Sequence, residues 1–149
     1  MRRAKILSQL AFGVVLAGLL VAGAARAQTA DADIEYQANW FDAQSALAAF
    51  ANAQLAQGRQ QLDRGELLAA CRRESERYAK ALARLGAKLP PPAAALVHWK
   101  MLPLHERALS AMKLVLSAAE RNDEGALDAA WRSLADAVKV MQRTAQESR

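Results

Sequence analysis

Almost every glycine and proline after residue 27 falls between long stretches of strong helix formers, and this spacing restricts the fold more than any other feature. The stretches are rich in Ala, Leu, Gln, Glu, Lys and Arg, and no stretch alternates polar and apolar residues for long enough to indicate a strand. Three consecutive prolines cannot continue a helix. The breakers in question are Gly58, Gly65, Gly86, Gly125, Pro90, Pro91, Pro92 and Pro103.

This pattern predicts an all-α fold with four helices, at about 33–62, 66–85, from after Pro92 to 121, and 124–146. Four helices of similar length with short loops are typical of an up-and-down four-helix bundle, and an extended pair of helical hairpins that dimerises is the alternative. Apolar positions in each helix recur at steps of three, four or seven. In the first helix these positions are Ile34, Phe41, Ala48, Leu55 and Leu62, with Trp40, Leu47 and Phe50 widening the face. In the second they are Leu68, Cys71, Ser75, Tyr78, Leu82, Leu85 and Leu89. In the third they are His98, Leu102, His105, Leu109, Met112, Leu116 and Ala119, and in the fourth they are Leu127, Trp131, Leu134, Val138, Met141 and Ala145.

The first 27 residues have the form of a secretory signal peptide. Arg2, Arg3 and Lys5 precede an apolar run, and Ala25-Arg26-Ala27 fits a small-x-small cleavage site. Cleavage after Ala27 would leave a single domain, residues 28–149, in a Gram-negative periplasm, without stable membrane insertion. The alternative is an uncleaved anchor over residues 6–25, which is nearly long enough to span a bilayer.

The charge balance argues against a nucleic-acid partner. The whole chain has a net charge of +5, but Arg2, Arg3, Lys5 and Arg26 lie in the predicted signal and none of the 15 acidic residues does. The mature net charge is therefore +1. A nucleic-acid-binding domain is expected to keep a strong basic excess, so we predict no such partner.

One cysteine cannot form a disulfide within the chain, so the fold must depend on packing. We expect Cys71 to be a buried, free thiol that packs like a small apolar residue. A disulfide between two chains is the alternative, because the predicted compartment is oxidising.

The segment from His98 to Met112 is the most suggestive of chemistry. His98, Met101 and His105 share a helical face, and imidazole and thioether groups are ligands of haem iron and copper. The histidines are seven residues apart, however, which places them ~10 Å apart along a helix axis. We therefore expect both to pack in or beside the core, each with a local hydrogen bond, and predict no cofactor or metal. A haem- or copper-binding bundle using His98, Met101, His105 or Met112 is the alternative.

Two surfaces are candidates for an interface. Arg73, Arg77, Lys80 and Arg84 form a basic stripe along the second predicted helix, and Trp99 falls off the apolar face of the third. The stripe suits anionic polymers or headgroups. In an antiparallel bundle, however, the start of the first helix lies beside the end of the second, so we expect the stripe to be partly neutralised within the chain. The acidic residues Asp31, Asp33, Glu35 and Asp42 would face Lys80, Arg84 and Lys88. An exposed tryptophan is a reasonable interface anchor.

The C-terminal half resembles uncharacterised secreted bacterial helical-bundle proteins, in which a helix ends in Leu-x-Pro-Pro and a histidine follows about six residues later. Pro91-Pro92 and His98 match that pattern, while Asn122-Asp123 stands where Gly-Asp is usual. The resemblance implies a fold and a compartment but no activity. No paired carboxylates, catalytic triad or phosphate-binding loop occur in the sequence, so we expect a non-catalytic envelope protein that binds a protein partner or forms a homodimer.

Overall fold

The computed structural model describes residues 30–59 and 61–148, and these residues form four α-helices. They are α1 (Ala30–Gly58), α2 (Arg64–Ala87), α3 (Ala95–Glu120) and α4 (Glu124–Glu147), with a short 3-10 turn, Pro92–Ala94, before α3. No strand occurs in these residues. The predicted all-α fold with four helices is confirmed, and the predicted signal peptide lies outside the described residues.

The loops and helix ends follow local chemistry. Asp63 forms a capping box at the start of α2: its carboxylate accepts from the Glu66 N–H at 2.8 Å, and the Glu66 carboxylate accepts from the Asp63 N–H at 2.9 Å. Asp123 caps α4 by accepting from the Ala126 N–H at 2.9 Å. Asn122, with a φ of 56°, takes the left-handed conformation that reverses the chain between α3 and α4.

The helices pack as two tight hairpins, α1 with α2 and α3 with α4, and the two hairpins meet mainly through α2 and α3. Buried alanines occur on every helix, and short side chains let helix axes approach closely. Larger side chains fill the space between the hairpins. Phe50 of α1 meets Trp131 of α4 at a ring-centroid distance of 5.6 Å, and Trp40 of α1 reaches the imidazoles of α3.

The predicted seven-residue apolar face of α1 is wrong at Ile34 and Phe41, whereas Ala48, Leu55 and Leu62 are half-buried and pack against the core. Ile34 and Phe41 are 63% and 70% exposed, and Leu62 lies beyond the helix, which ends at Gly58. The residues that only widened the predicted face, Trp40, Leu47 and Phe50, are the ones in the core. A seven-residue repeat does not identify the buried face here because alanine supplies most of the contact residues of α1, and alanine occurs on several of its faces.

The predicted apolar faces of the other helices agree better with the structure. In α2, Cys71, Ser75, Tyr78, Leu82 and Leu85 are buried, but Leu68 is only half-buried and Leu89 is exposed in the connection after the helix. Most predicted positions of α3 and α4 are buried, and the half-buried exceptions are Leu109, Leu116, Ala119 and Leu127. The core is therefore continuous along the bundle.

Candidate functional site: a buried imidazole cluster beneath an exposed tryptophan

Both histidines lie in the core at the end of the bundle where α1 and α3 begin. They are almost fully buried, and α1 and α2 surround them with aromatic rings. The Trp40 ring meets His98 and His105 edge to face, with centroids 5.9 and 4.9 Å away. Tyr36 lies 5.7 Å from His98, and Tyr78 lies 5.8 Å from His105. We call these five residues the imidazole cluster.

Each imidazole has a tyrosine partner from another helix. Tyr36 Oη lies 3.2 Å from His98 Nδ1, and Tyr78 Oη lies 2.6 Å from His105 Nδ1. The expectation that both histidines pack in the core is confirmed. The expected local hydrogen bonds are wrong, because both partners are distant in sequence and belong to α1 and α2. These bonds hold α3 against the first hairpin.

The second nitrogen of each ring is unsatisfied. His98 Nε2 and His105 Nε2 are buried and have no hydrogen-bond partner among the described residues. When the tyrosine hydroxyl donates to Nδ1, the neutral ring carries its proton on Nε2, and a buried N–H then lacks an acceptor. An unsatisfied buried polar group costs about 1–3 kcal/mol, so each histidine stabilises the bundle less than its hydrogen bond alone indicates.

Burial keeps the imidazoles neutral. Loss of hydration lowers the pKa of His105 to about 3 and also lowers the pKa of His98 below its usual value. The same cause raises the pKa of Tyr78 well above its usual value, so this hydroxyl stays protonated. At neutral pH the cluster is an uncharged set of hydrogen-bonded rings, which offers no general base or acid poised near pH 7.

The cluster is a poor metal centre in its present arrangement. No group of three or more His, Cys, Asp or Glu residues in the described part of the chain is placed to hold a metal ion. Trp40 packs against both imidazoles, and the seven-residue spacing holds them ~10 Å apart along α3. Met101 and Met112 are core residues of the same helix. One ion cannot take both imidazoles at this separation.

Trp99 lies on the surface directly beside the cluster. Its side chain is 54% exposed, and its ring meets the buried His98 edge to face at 4.7 Å. Other large exposed apolar residues lie at the same end of the bundle: Ile34 and Phe41 in α1, Leu89 in the α2–α3 connection, and Leu96 in the first turn of α3. The Lys88–Glu35 ion pair, at 2.6 Å, places the end of α2 beside the start of α1.

The basic stripe of α2 is largely paired within the chain. Arg77 Nε donates to Asp42 Oδ1 at 2.6 Å, and Arg84 lies 3.6 Å from the same carboxylate. Arg73 pairs with Glu74 of its own helix at 2.8 Å. The Arg84–Asp42 pair and the Lys88–Glu35 pair agree with the expected partial neutralisation by α1. Arg77 was not expected to face α1, but it also pairs with Asp42. The arginine side chain of each pair is exposed to solvent, so each ion pair contributes at most about 1 kcal/mol to the stability of the fold.

Cys71 is a buried, free thiol, as expected. Burial, reinforced by the nearby Glu74 carboxylate, raises the pKa of Cys71 to about 12. A thiol that is both buried and protonated is a poor nucleophile and a poor partner for a disulfide between chains.

The sequence indicated both histidines but not the residues that define their environment. These residues are Tyr36, Trp40 and Tyr78, and they come from two other helices. Trp40 and Tyr78 lie on predicted apolar faces, whereas Tyr36 was not predicted to face the core. A tyrosine on a predicted apolar face was the available signal, because a buried hydroxyl needs a partner and the two core histidines can supply it.

No protein-family model matches the chain, and no curated protein or solved structure is significantly similar to it.

Proposed function

We propose that this chain is a small exported helical-bundle protein of the periplasm that acts without catalysis, by binding a protein partner or another copy of itself. The observation that carries the proposal is the set of large apolar side chains exposed at one end of the bundle, with Trp99 among them. Single exposed apolar residues are ordinary, whereas a contiguous exposed apolar patch marks a contact surface, and the proposal takes these side chains to form one. The neutral imidazole cluster beneath Trp99 supports a structural role for that end.

The export half of the proposal rests on residues 1–27. Sequencing the N-terminus of the protein extracted from the cell envelope should give Gln28 as the first residue. A retained N-terminus in the membrane fraction would instead make residues 6–25 an anchor. No helix among the described residues is long and apolar enough to cross a bilayer.

The binding half is tested with a tryptophan variant and a matched control. Trp99→Ala should abolish capture of a specific envelope protein, or weaken self-association, while Leu114→Ala should not. Leu114 is a suitable control because it is similarly exposed but lies toward the opposite end of α3. Equal behaviour of both variants and the unmodified protein, with no associated protein and no self-association, would overturn the proposal.

A haem- or copper-binding bundle is the second candidate. It is favoured by the tautomer in which each Nδ1–H donates to its tyrosine oxygen, because the lone pair of each buried Nε2 is then without a partner among the described residues. Its test is metal and haem analysis of protein produced with either cofactor available. This candidate requires a Soret band or stoichiometric copper that disappears when one of the histidines is replaced, in His98→Leu or in His105→Leu, while the helical content survives. The favoured function requires neither signal.

A further inference from the structure

Two nitrogen atoms of the imidazole cluster have no partner in the fold. His98 Nε2 and His105 Nε2 lack a hydrogen bond to any described residue, and their rings are 0% and 1% exposed. Buried polar groups in folded proteins almost always have a partner, either in the protein or in ordered water. What these atoms bind depends on the ring proton, because one nitrogen of a neutral imidazole donates and the other accepts. The tyrosine hydroxyls at the two Nδ1 atoms decide between these two forms.

The Tyr78 hydroxyl favours one form of His105. Tyr78 Oη lies 2.6 Å from His105 Nδ1, both groups are buried, and the hydroxyl has no other partner among the described residues. If Nδ1–H donated to Oη, the hydroxyl proton and the Nε2 lone pair would both be buried without partners. If the hydroxyl donates to Nδ1, a single polar hydrogen, on Nε2, lacks a partner. Fewer unsatisfied polar groups make the second form more stable, so His105 presents an Nε2–H.

His98 takes the same form because of Trp40. Tyr36 Oη lies 3.2 Å from His98 Nδ1, and the Tyr36 and Trp40 rings meet edge to face at 6.4 Å. Burial raises the pKa of Tyr36, and an interaction with the Trp40 side chain offsets part of that rise. An indole N–H can only donate, so the Tyr36 oxygen is the acceptor in this interaction, although the contact falls short of a full hydrogen bond. The Tyr36 hydroxyl is then left to donate to Nδ1, and His98 also presents an Nε2–H.

The cluster therefore has an excess of donors. Trp40 Nε1 is buried without a full hydrogen bond, like the two Nε2 atoms, and its ring meets those of His98 and His105 at 5.9 and 4.9 Å. All five rings of the cluster are uncharged at neutral pH. A cation finds no lone pair on these three N–H groups, and an anion would lose its hydration without meeting a positive charge among the rings. The suitable occupant is a neutral oxygen.

We propose that the imidazole cluster is a binding site for a small neutral oxygen acceptor, held by the Nε2–H groups of His98 and His105. Ordered water shares this chemistry with the carbonyl or hydroxyl oxygen of a small uncharged molecule. A buried water typically makes about three hydrogen bonds to groups that are otherwise unsatisfied, and Trp40 Nε1 is available as a further donor. The imidazoles are ~10 Å apart along α3, so each N–H takes its own oxygen. This site goes beyond the proposed function and does not depend on the Trp99 surface.

NMR of the purified protein, labelled with ¹⁵N at histidine, measures the ring protons directly. The chain has only two histidines, so two imidazoles should appear in a long-range ¹H–¹⁵N correlation spectrum. At neutral pH both should be protonated at Nε2 and unprotonated at Nδ1. Each Nε2–H should show a cross-peak to a bound water or to protons of a bound molecule.

Single variants assign the two imidazoles, and each serves as the control for the other. His98→Leu should remove one set of signals with its cross-peak and leave the other set unchanged, and His105→Leu should do the reverse. If one variant does not fold, as judged by circular dichroism, the other still assigns both rings by elimination. A proton on Nδ1 at either ring would overturn the proposal and would leave an Nε2 lone pair free for haem or copper.

Native mass spectrometry distinguishes the two sources of the oxygen. A bound molecule should add its mass to the folded chain, and that mass should be lost when the histidine that shows the cross-peak is replaced. Water as the occupant should leave the mass of the chain unchanged while the cross-peak to water persists. Nε2–H groups that show neither cross-peak would overturn the proposal, because they would then donate to the face of the Trp40 ring.

Discussion

The two ends of this core are built from different chemistry. Where α1 and α3 begin, five hydrogen-bonded or edge-to-face rings of the imidazole cluster fill the space between the hairpins. Toward the other end of α1, Phe50 and Trp131 meet at 5.6 Å, and Phe50 is fully buried. The first end fixes which side chains meet, because each hydrogen bond needs its own partner. The second end stabilises the fold mainly by burying apolar surface. Burial of a large ring contributes more free energy than a hydrogen bond, but it is less selective about which side chains meet.

The largest expected effect is at the Phe50–Trp131 end. Phe50→Ala should lower the free energy of unfolding by about 3–5 kcal/mol, because it removes a fully buried ring and leaves a cavity. Phe41→Ala, the same substitution on the exposed face of α1, should change stability by less than about 0.5 kcal/mol in the monomer. Denaturant unfolding at low protein concentration measures both. Similar losses in the two variants would mean that the structure assigns the wrong face of α1 to the core.

Acidification should weaken the imidazole cluster selectively. The pKa of His105 is lowered to about 3 in the folded chain, whereas the usual pKa of a histidine is about 6.5. Between these two pH values His105 is protonated in the unfolded chain and neutral in the folded chain. The contribution of His105 is fully present above pH ~6.5 and is lost as the pH falls toward 3. One such group changes stability by about 1.4 kcal/mol per pH unit, or roughly 2–3 kcal/mol between pH 7 and pH 4.5.

Replacing the histidine provides the control for this pH dependence. His105→Leu should flatten the dependence of the unfolding free energy on pH between 4.5 and 6.5. The number of protons taken up on unfolding in this range should fall by close to one. Glu106→Gln, on the exposed side of the same helix, should leave that slope nearly unchanged. An unaltered slope in His105→Leu would show that this imidazole is not buried and neutral.

Loss of one tyrosine hydroxyl should have a smaller effect. Tyr78→Phe leaves His105 Nδ1 buried without its 2.6 Å partner and should cost about 1–3 kcal/mol. Tyr36→Phe should cost less, since Tyr36 is half-buried and its contact is longer, at 3.2 Å. The double variant Tyr78→Phe/His105→Leu should recover most of the loss, because neither polar group is then left unpaired. Additive losses in the double variant would contradict the hydrogen-bonded pair.

The smallest expected effect is that of replacing His98 at neutral pH. His98→Leu should change stability by less than about 1.5 kcal/mol, because the apolar contact is kept, the unpartnered Nε2 is removed, and the Tyr36 hydroxyl that loses its partner is only half-buried. His105→Leu should cost more, about 1–3 kcal/mol, because it leaves the buried Tyr78 hydroxyl without its partner. Neither variant should alter copper or haem content. Copper bound weakly and equally by both variants would agree with this expectation, whereas a stoichiometric cofactor lost in both would contradict it.

Periodicity in the sequence was a better guide to α2 and α4 than to α1. In α4 the positions of Trp131, Leu134 and Val138 are correct because charged residues mark the opposite face. In α1 the outward face carries no charge, so an apolar repeat through Ile34 and Phe41 was as plausible as the correct one through Trp40 and Leu47. The error at Ile34 and Phe41 therefore follows from the lack of charged residues that would have marked the outward face.

By itself the sequence determined that the described chain is helical, that its helices are divided near Gly65, at the prolines and at Asn122-Asp123, and that both histidines lie on a core face. It placed the end of α1 four residues too late, at 62 rather than at Gly58. These properties depend on local backbone preferences and on spacing within one helix. Only the tertiary structure decided that Tyr36, Trp40 and Tyr78 surround the imidazoles, and that Phe41 faces outward. Contacts between helices depend on how the hairpins are rotated against each other, and that rotation is set by side-chain packing across the whole core.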